Sequence, residues 1–89
     1  MKHKYLVEFL GTLFFVYVIL ATGNPLAIGG ALAITLLVTS KYQGGYFNPA
    51  VAITMNAANK IPTNDLLVFI LAEILGALFA FEIYKRYKI

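Results

Sequence analysis

The sequence predicts an all-α membrane protein with three transmembrane helices and one re-entrant half-helix. Three observations support this prediction: 61% of the 89 residues are hydrophobic, only 12% are charged, and the apolar residues run on without the alternation of a membrane β-strand. A helix that crosses a bilayer core of about 30 Å needs about 20 mostly apolar residues. Three stretches of the chain approach that length.

The composition also excludes several classes of protein. The sequence has no Cys, so it predicts neither a disulfide framework nor a cysteine-based metal site. Its single His is His3, which excludes most histidine-based catalysis. The seven Lys and Arg residues form no basic stripe, so no nucleic-acid partner is expected. We expect no enzyme activity, no cofactor and no metal.

The first predicted helix covers about residues 5–22 and contains one charged residue, Glu8, near its start. Lys2 and Lys4 precede it, as basic residues precede the apolar part of a signal peptide. The length of the apolar run, the presence of Glu8 and the lack of a small-residue cleavage site argue against cleavage. We therefore expect a transmembrane helix.

The second predicted helix covers about residues 25–42. Gly23 and Asn24 form the turn before it, and Pro25 suits its first turn. No charged residue occurs between Pro25 and Ser40. This uncharged part is short for a full span, so the helix either gains residues up to position 42 or tilts little.

Residues 43–59 are predicted to form a re-entrant loop and a half-helix. The segment from Pro49 to Asn59 is mostly small and apolar, and as a helix it is about 15 Å long, which is half a bilayer. Asn48 fits the N-cap of this helix and Pro49 its first position. An amphipathic helix that lies flat on the membrane surface is the alternative.

The third predicted transmembrane helix covers about residues 64–86, with Asp65 in its first turn. Glu73 lies near the middle of this span. An unpaired carboxylate there is costly, so Glu73 is expected to be either protonated or hydrogen-bonded. Glu82 lies close to two basic residues on the last turns and indicates a solvated helix end.

Residues 44–51, Gly-Gly-Tyr-Phe-Asn-Pro-Ala-Val, resemble the NPA box of the aquaporin and glycerol-facilitator family, the major intrinsic proteins. Residues 8–12 resemble the first-helix signature of that family. Residues 26–29 resemble the start of its second helix, and residues 25–29 also resemble the start of its fifth. Residues 72–77 resemble its third helix, where the family usually has Gln in place of Glu73. Because family members carry two such units in one chain, we expect a single half-unit here.

The resemblance implies a passive membrane channel for water and for small neutral solutes such as glycerol. The half-helix N-terminus would repel cations, and Asn48 would offer its side-chain N–H groups to passing molecules. The alternative role of Asn48 is a plain N-cap, and one side chain can fill both roles. The residues expected in the pore are Asn48, Pro49 and Ala50, with a ladder of backbone carbonyls from Gly44, Gly45, Tyr46 and Phe47.

The resemblance also assigns the selectivity filter and the residues that brace the loop. Counted without gaps from the NPA box, the filter positions fall on Val51, on Ile28 from one chain, and on Leu36 and Gly45 from another. Val51 stands where the family has Arg, so an apolar pore mouth is expected. Glu8 matches a Glu that braces the re-entrant loop in the family. Glu73 is expected to brace the loop as well, or to contact the facing subunit.

Three and a half helices cannot enclose a pore, so we expect an antiparallel homodimer in the lipid bilayer of the cell membrane. The resemblance further implies a tetramer of such dimers, which is eight chains. The alternatives are a channel whose second half is a different protein and a small dual-topology, proton-coupled transporter that uses Glu8. A nearly even charge distribution favours insertion in both orientations. One side has Lys2, Lys4, Lys41 and Lys60, and the other has Lys85, Arg86 and Lys88.

Overall fold

A computed structural model describes residues 3–40 and 45–87 of the chain. Within these residues the structure is all-helical, which confirms the fold class at this level. The described helices are α1 (Lys4–Thr22), α2 (Pro25–Thr39), α3 (Pro49–Ala57) and α4 (Thr63–Arg86). The second helix was expected to extend to about position 42, but α2 ends at Thr39, and positions 41 and 42 lie outside the described residues.

Two of the four helices are long and apolar enough to cross a membrane. At a rise of 1.5 Å per residue, α1 and α4 are about 28 Å and about 36 Å long, against a bilayer core of about 30 Å. The apolar helix α2 has 15 residues and is about 22 Å long. The nine residues of α3 extend about 14 Å, which is half of a bilayer. The arrangement of three spans and one half-helix stays a prediction.

Helices α1 and α4 pack closely where Gly76 faces α1. A Cβ atom on Gly76 would lie 2.5 Å from the backbone oxygen of Phe9 and 3.2 Å from the Thr12 Cβ. Any larger residue would therefore push the two helices apart. Membrane helices commonly associate by close packing at small residues. Lipid is as apolar as their side chains, so no hydrophobic driving force brings them together.

The half-length helix α3 packs against the first half of α4. Ala52 from α3, Phe69 from α4 and Ile61 from the connection form a small buried apolar cluster. The Asn56 side-chain nitrogen donates hydrogen bonds to the Ile61 carbonyl at 2.9 Å and to the Thr63 hydroxyl at 3.2 Å. The C-terminal end of α3 is thus tied to the N-terminal end of α4, and the two helices run in opposite directions.

Two helices of the chain begin in the same way, with Asn as the N-cap and Pro in the first turn. The Asn24 oxygen accepts hydrogen bonds from the N–H groups of Leu26 and Ala27 at the start of α2. The Asn48 oxygen accepts a hydrogen bond of 2.8 Å from the Ala50 N–H at the start of α3. Both caps satisfy helical N–H groups that have no partner inside the helix.

Candidate functional site

The Glu8 carboxylate holds the loop that leads into α3. Glu8 is fully buried, and its two oxygens accept hydrogen bonds from three consecutive backbone N–H groups. Tyr46 donates at 3.0 Å, Phe47 donates at 2.9 Å, and Gly45 donates as well. Consecutive N–H groups that converge in this way form an anion-binding nest, and hydrogen bonds to a charged acceptor are among the strongest in proteins. A side chain on α1 therefore fixes the backbone of a loop almost forty positions away.

The loop backbone has two positive φ angles, at Gly45 (101°) and at Phe47 (55°). A positive φ is ordinary for Gly but uncommon and strained for a residue with a side chain. The surroundings hold Phe47 in this conformation, because Glu8 accepts its N–H and its ring is buried against Gly11. A Cβ atom on Gly11 would lie 2.2 Å from the Phe47 Cε1 atom.

The peptide planes of the loop direct their carbonyl groups away from Glu8. In a trans peptide the C=O points opposite to the N–H of the next residue. Because the Tyr46 and Phe47 N–H groups face Glu8, the carbonyls of Gly45 and Tyr46 point to the other side. Gly44, the first residue of the expected carbonyl ladder, lies outside the described residues.

Asn48, Pro49 and Phe47 line a groove of about 380 Å³ between α1 and α4. Asn48 is exposed, and its side-chain oxygen is used in capping α3, which leaves the amide nitrogen as a donor. The walls of the groove are mainly apolar. They are formed by Phe15, Val16, Ile19, Ile74, Ala77 and Leu78.

Glu73, which was expected to be either protonated or hydrogen-bonded, lies buried in the same groove. It is 1% exposed, and neither carboxyl oxygen has a hydrogen-bond donor among residues 3–40 and 45–87. Its polar neighbours are the Glu8 carboxyl group and the backbone N–H of Asn48. The expected role of Glu73, to brace the loop or to contact the facing subunit, stays a prediction. Glu8 accepts the N–H groups of Gly45, Tyr46 and Phe47, and the Asn48 N–H is the loop group beside Glu73. The Thr12 hydroxyl, also buried in this groove, lacks a partner among the same residues.

The four expected filter positions do not form one ring within a single chain. Leu36 lies next to Gly45, where a Cβ atom would be 3.3 Å from the Leu36 Cδ2 atom. Ile28 is eight positions before Leu36 on α2, which is about 12 Å along the helix axis. Val51 is exposed in the first turns of α3. Only the pair of Leu36 and Gly45 is brought together.

A second polar cluster joins the N-terminal ends of α1 and α4, and sequence reasoning did not identify it. The Lys4 ammonium lies 2.7 Å from the Asp65 Oδ2 atom, and the Tyr5 hydroxyl donates a hydrogen bond to Asp65 Oδ1. The Tyr5 ring also contacts Phe69 edge to face, at 5.5 Å between centroids. The sequence contained a signal for this ion pair. Lys4 lies in the first turn of α1 and Asp65 in the first turn of α4, and both helices were expected to begin on the same side of the membrane.

Comparison with known proteins identifies the family of the chain. A family model described as "Major intrinsic protein" matches residues 1–88. The chain belongs to the major intrinsic protein family. The resemblance drawn from the NPA box is therefore confirmed. Family membership and the two long apolar helices identify an integral membrane protein, as the sequence predicted.

Individual members of the family match most of this chain. "Glycerol uptake facilitator protein-like 6" of Lactiplantibacillus plantarum is 38% identical over 94% of the chain and 43% of its own length. "Aquaporin Z" of Brucella melitensis is 37% identical over 90% of the chain and 42% of its own length. "Aquaglyceroporin-2" of Rhizophagus irregularis is 42% identical over 75% of the chain and 23% of its own length. The chain thus spans less than half the length of these relatives. No solved structure gives a significant match.

Proposed function

We propose that the chain is one half of a passive membrane channel for water and small neutral solutes such as glycerol, and that its pore forms between two antiparallel copies. The observation that carries the proposal is the N-terminus of α3, which Glu8 holds at an open groove with Asn48 at its tip. Relatives named as aquaporins and as glycerol facilitators support the choice of solutes. Nothing is chemically transformed in this process, so the chain is not an enzyme.

In this proposal α1, α2 and α4 cross the membrane, and α3 enters it from the side where α4 begins. The C-terminal end of α3 is tied to Thr63, at the start of α4. Asn48, at the other end of α3, is a neighbour of Glu73, near the middle of α4. If α4 spans the bilayer, the tip of α3 lies near the midplane. These contacts favour a re-entrant half-helix over a helix that lies flat on the membrane surface.

The N-terminal end of α3 determines which molecules can pass through the proposed pore. A helix N-terminus carries about half a positive charge, which repels cations and protons in a narrow pore. The Asn48 amide donates hydrogen bonds to the oxygen of a passing water or alcohol. The carbonyls of Gly45 and Tyr46 point away from Glu8 and accept hydrogen bonds from water or alcohol groups in the pore next to Asn48. With Val51 at the filter position, the pore mouth is apolar.

Two copies are needed because one copy leaves the groove beside the half-helix tip open. An inverted second copy would bring a second tip to the same depth and close the groove from the opposite side. It would also bring Ile28 of one chain toward the pair of Leu36 and Gly45 of the other. The counts of four and three basic residues on the two sides give little preference for one orientation.

Larger assembly is part of the proposal, because the isolated chain leaves much apolar surface exposed. Leu26 and Leu37 on α2 are 88% and 78% exposed. Lipid or neighbouring chains cover such residues in a membrane, and four dimers, or eight chains, would give four pores. The neighbours of each chain are then further copies and the lipid bilayer.

A proton-coupled transporter that uses Glu8 is less well supported. A coupling acid has to exchange its proton with the transport path. Glu8 is fully buried, and its oxygens are occupied by hydrogen bonds from three backbone N–H groups. A channel with a second, different half-subunit remains an outcome that the following experiment can detect.

The test is stopped-flow light scattering of liposomes that contain only the purified chain, after an osmotic step. We expect water flux well above that of empty liposomes. The Asn48→Asp variant should lose it, because Asp still caps α3 but removes the N–H donors and adds a negative charge at the tip. The matched control is Asn24→Asp, at the other Asn-Pro helix start of the chain. A glycerol gradient in the same vesicles measures the width at Ile28 and Leu36.

Three results contradict the proposal. Flux no faster than in empty liposomes, from folded protein, would show that this chain alone builds no pore and would favour a different second half. Equal flux in wild type and Asn48→Asp would remove Asn48 from the path. Equal losses in Asn48→Asp and Asn24→Asp would indicate a general effect of Asp at a helix N-cap.

A further inference from the structure

Glu73 is the least satisfied buried side chain in the described part of the chain. It is 1% exposed and lines the groove beside the tip of α3. No hydrogen-bond donor from residues 3–40 or 45–87 reaches either carboxyl oxygen. A carboxylate that is buried without hydrogen-bond donors or a counter-charge is strongly unfavourable. The side chain therefore has to be neutral or has to receive a partner.

The nearest titratable group is itself an acid. Glu8 accepts hydrogen bonds from three N–H groups, and its carboxyl group neighbours that of Glu73. Two ionised carboxylates side by side repel each other strongly in a medium of low dielectric constant. A pair of this kind keeps one proton, as paired carboxyl groups in other proteins do.

Among residues 3–40 and 45–87, no other charged group near the pair compensates a second negative charge. On α1 and α4, the Lys4 ammonium is already paired with Asp65 at 2.7 Å. The loop contributes the neutral phenol of Tyr46. Helices α2 and α3 contain no titratable residue between Pro25 and Thr39 or between Pro49 and Ala57. The proton has to stay on the pair.

We propose that Glu73 holds this proton and donates a hydrogen bond to the Glu8 carboxylate. Glu73 is then a positioning residue, which acts on the NPA turn through Glu8. A carboxylate has about four acceptor sites, and the loop occupies three of those on Glu8. The proton of Glu73 forms the fourth hydrogen bond to Glu8. It also leaves Glu73 neutral, so no unpaired negative charge lies beside the tip of α3.

A dependence on pH follows, and this part rests on the proposed channel function. When alkaline solution removes the proton from Glu73, two negative charges face each other beside the loop. The repulsion displaces Glu8 from the N–H groups of Tyr46 and Phe47 and loosens the turn that presents Asn48. Water flux should therefore be present at neutral pH and lost at alkaline pH.

Infrared spectroscopy of the purified full chain tests the shared proton without reference to transport. A protonated carboxylic acid has a carbonyl stretching band that a carboxylate lacks. We expect this band in the wild type at neutral pH, its loss at alkaline pH, and its absence in Glu73→Gln. The matched control is Glu82→Gln, whose exposed carboxylate pairs with Lys85 at 3.0 Å on the same helix. The control should keep the band.

The flux measurement adds the functional side of the test. Glu73→Gln keeps a neutral donor of similar shape, so it should conduct at neutral pH and should no longer lose flux at alkaline pH. Glu73→Leu removes the donor and should lose most of its flux at every pH. Glu82→Gln should follow the wild-type profile.

The proposal is overturned by a wild type without a protonated-acid band at neutral pH, by a band that persists in Glu73→Gln, or by an unchanged alkaline loss of flux in that variant. If Glu73→Gln does not fold, the Glu82→Gln chain labelled with carbon-13 glutamate tests whether the pair keeps a proton, because Glu8 and Glu73 are then the two labelled acids. Absence of the labelled protonated-acid band at neutral pH overturns the proposal. A wild type that conducts no water but shows the band would contradict the proposed function and leave the shared proton supported.

Discussion

Gly11 determines where the residue before the NPA turn can lie. The Phe47 ring, 3% exposed, occupies the space that a side chain at position 11 would take. The backbone of Phe47 is strained at a φ of 55°, so contacts around the side chain have to compensate for that strain. Two residues of α1 therefore position Phe47: its ring packs against Gly11, and its N–H donates to the Glu8 carboxylate.

We predict that Gly11→Ala lowers the free energy of unfolding by about 1–3 kcal/mol, as overpacking of a full site does. The added methyl group would lie 2.2 Å from the Phe47 ring, so the ring and the turn behind it have to move. Water flux should fall together with stability. Thermal unfolding in detergent and stopped-flow measurements provide the two readouts.

The compensating variant Phe47→Leu makes this prediction specific. In Gly11→Ala/Phe47→Leu the smaller side chain leaves room for the methyl group, so part of the stability and flux lost in Gly11→Ala should return. If Gly11→Ala conducts and unfolds like the wild type, the contact between Gly11 and Phe47 does not position the turn.

At the scale of elements, the ends of α1 and α4 are joined by a partly buried ion pair. The side chains of Lys4 and Asp65 are 21% and 9% exposed, and Tyr5 donates a second hydrogen bond to the same carboxylate. Together with the close approach at Gly76, this cluster fixes the two long helices at both an end and a crossing point. The groove that holds Glu73 lies between them, so its shape depends on both contacts.

We predict that Asp65→Asn lowers the melting temperature by several degrees, since it leaves the Lys4 ammonium partly buried without its counter-charge. Glu82→Gln removes a carboxylate from an exposed ion pair on the same helix and should change the melting temperature little. Thermal unfolding of both variants in the same detergent provides the comparison. Equal shifts would show that the Lys4 pair contributes no more than a surface pair.

Some of these elements could be predicted from sequence because their signals are local. The Asn-Pro pair at positions 48 and 49 marks a helix start, and α3 begins there. The apolar runs that predicted the first and last helices correspond to α1 and α4. The resemblance also indicated Glu8 as the brace of the loop, and Glu8 accepts the hydrogen bonds of Gly45, Tyr46 and Phe47.

Other features depend on contacts between distant segments, which a single sequence does not encode locally. Glu8 accepts the N–H groups of Gly45, Tyr46 and Phe47, and neither carboxyl oxygen of Glu73 has a hydrogen-bond donor among residues 3–40 and 45–87. The Phe47 ring fills the space beside Gly11 because of the path of the loop before α3, which lies more than thirty residues later in the chain. The positive φ of Phe47 could not be predicted from sequence either, because Phe disfavours this conformation and only the surrounding contacts impose it.

At the scale of the whole molecule, the N-terminal end of α3 lies at an open groove of the single described chain. The described residues extend 39 Å along their longest axis, enough to cross a bilayer, while the groove beside Asn48 stays open on one side. A two-fold arrangement of inverted copies would place the same surface patch on both sides of the contact. Each pore would then contain Asn48 twice, once from each chain.

The central claim, that two copies of this chain form each pore, is tested most directly by mixing subunits. Wild-type and Asn48→Asp chains are combined in equal amounts, reconstituted together, and assayed for water flux at constant total protein. If a pore needs two intact copies, random pairing leaves about one quarter of the wild-type flux. A residual flux of about one half would mean that each chain conducts by itself and would contradict the account.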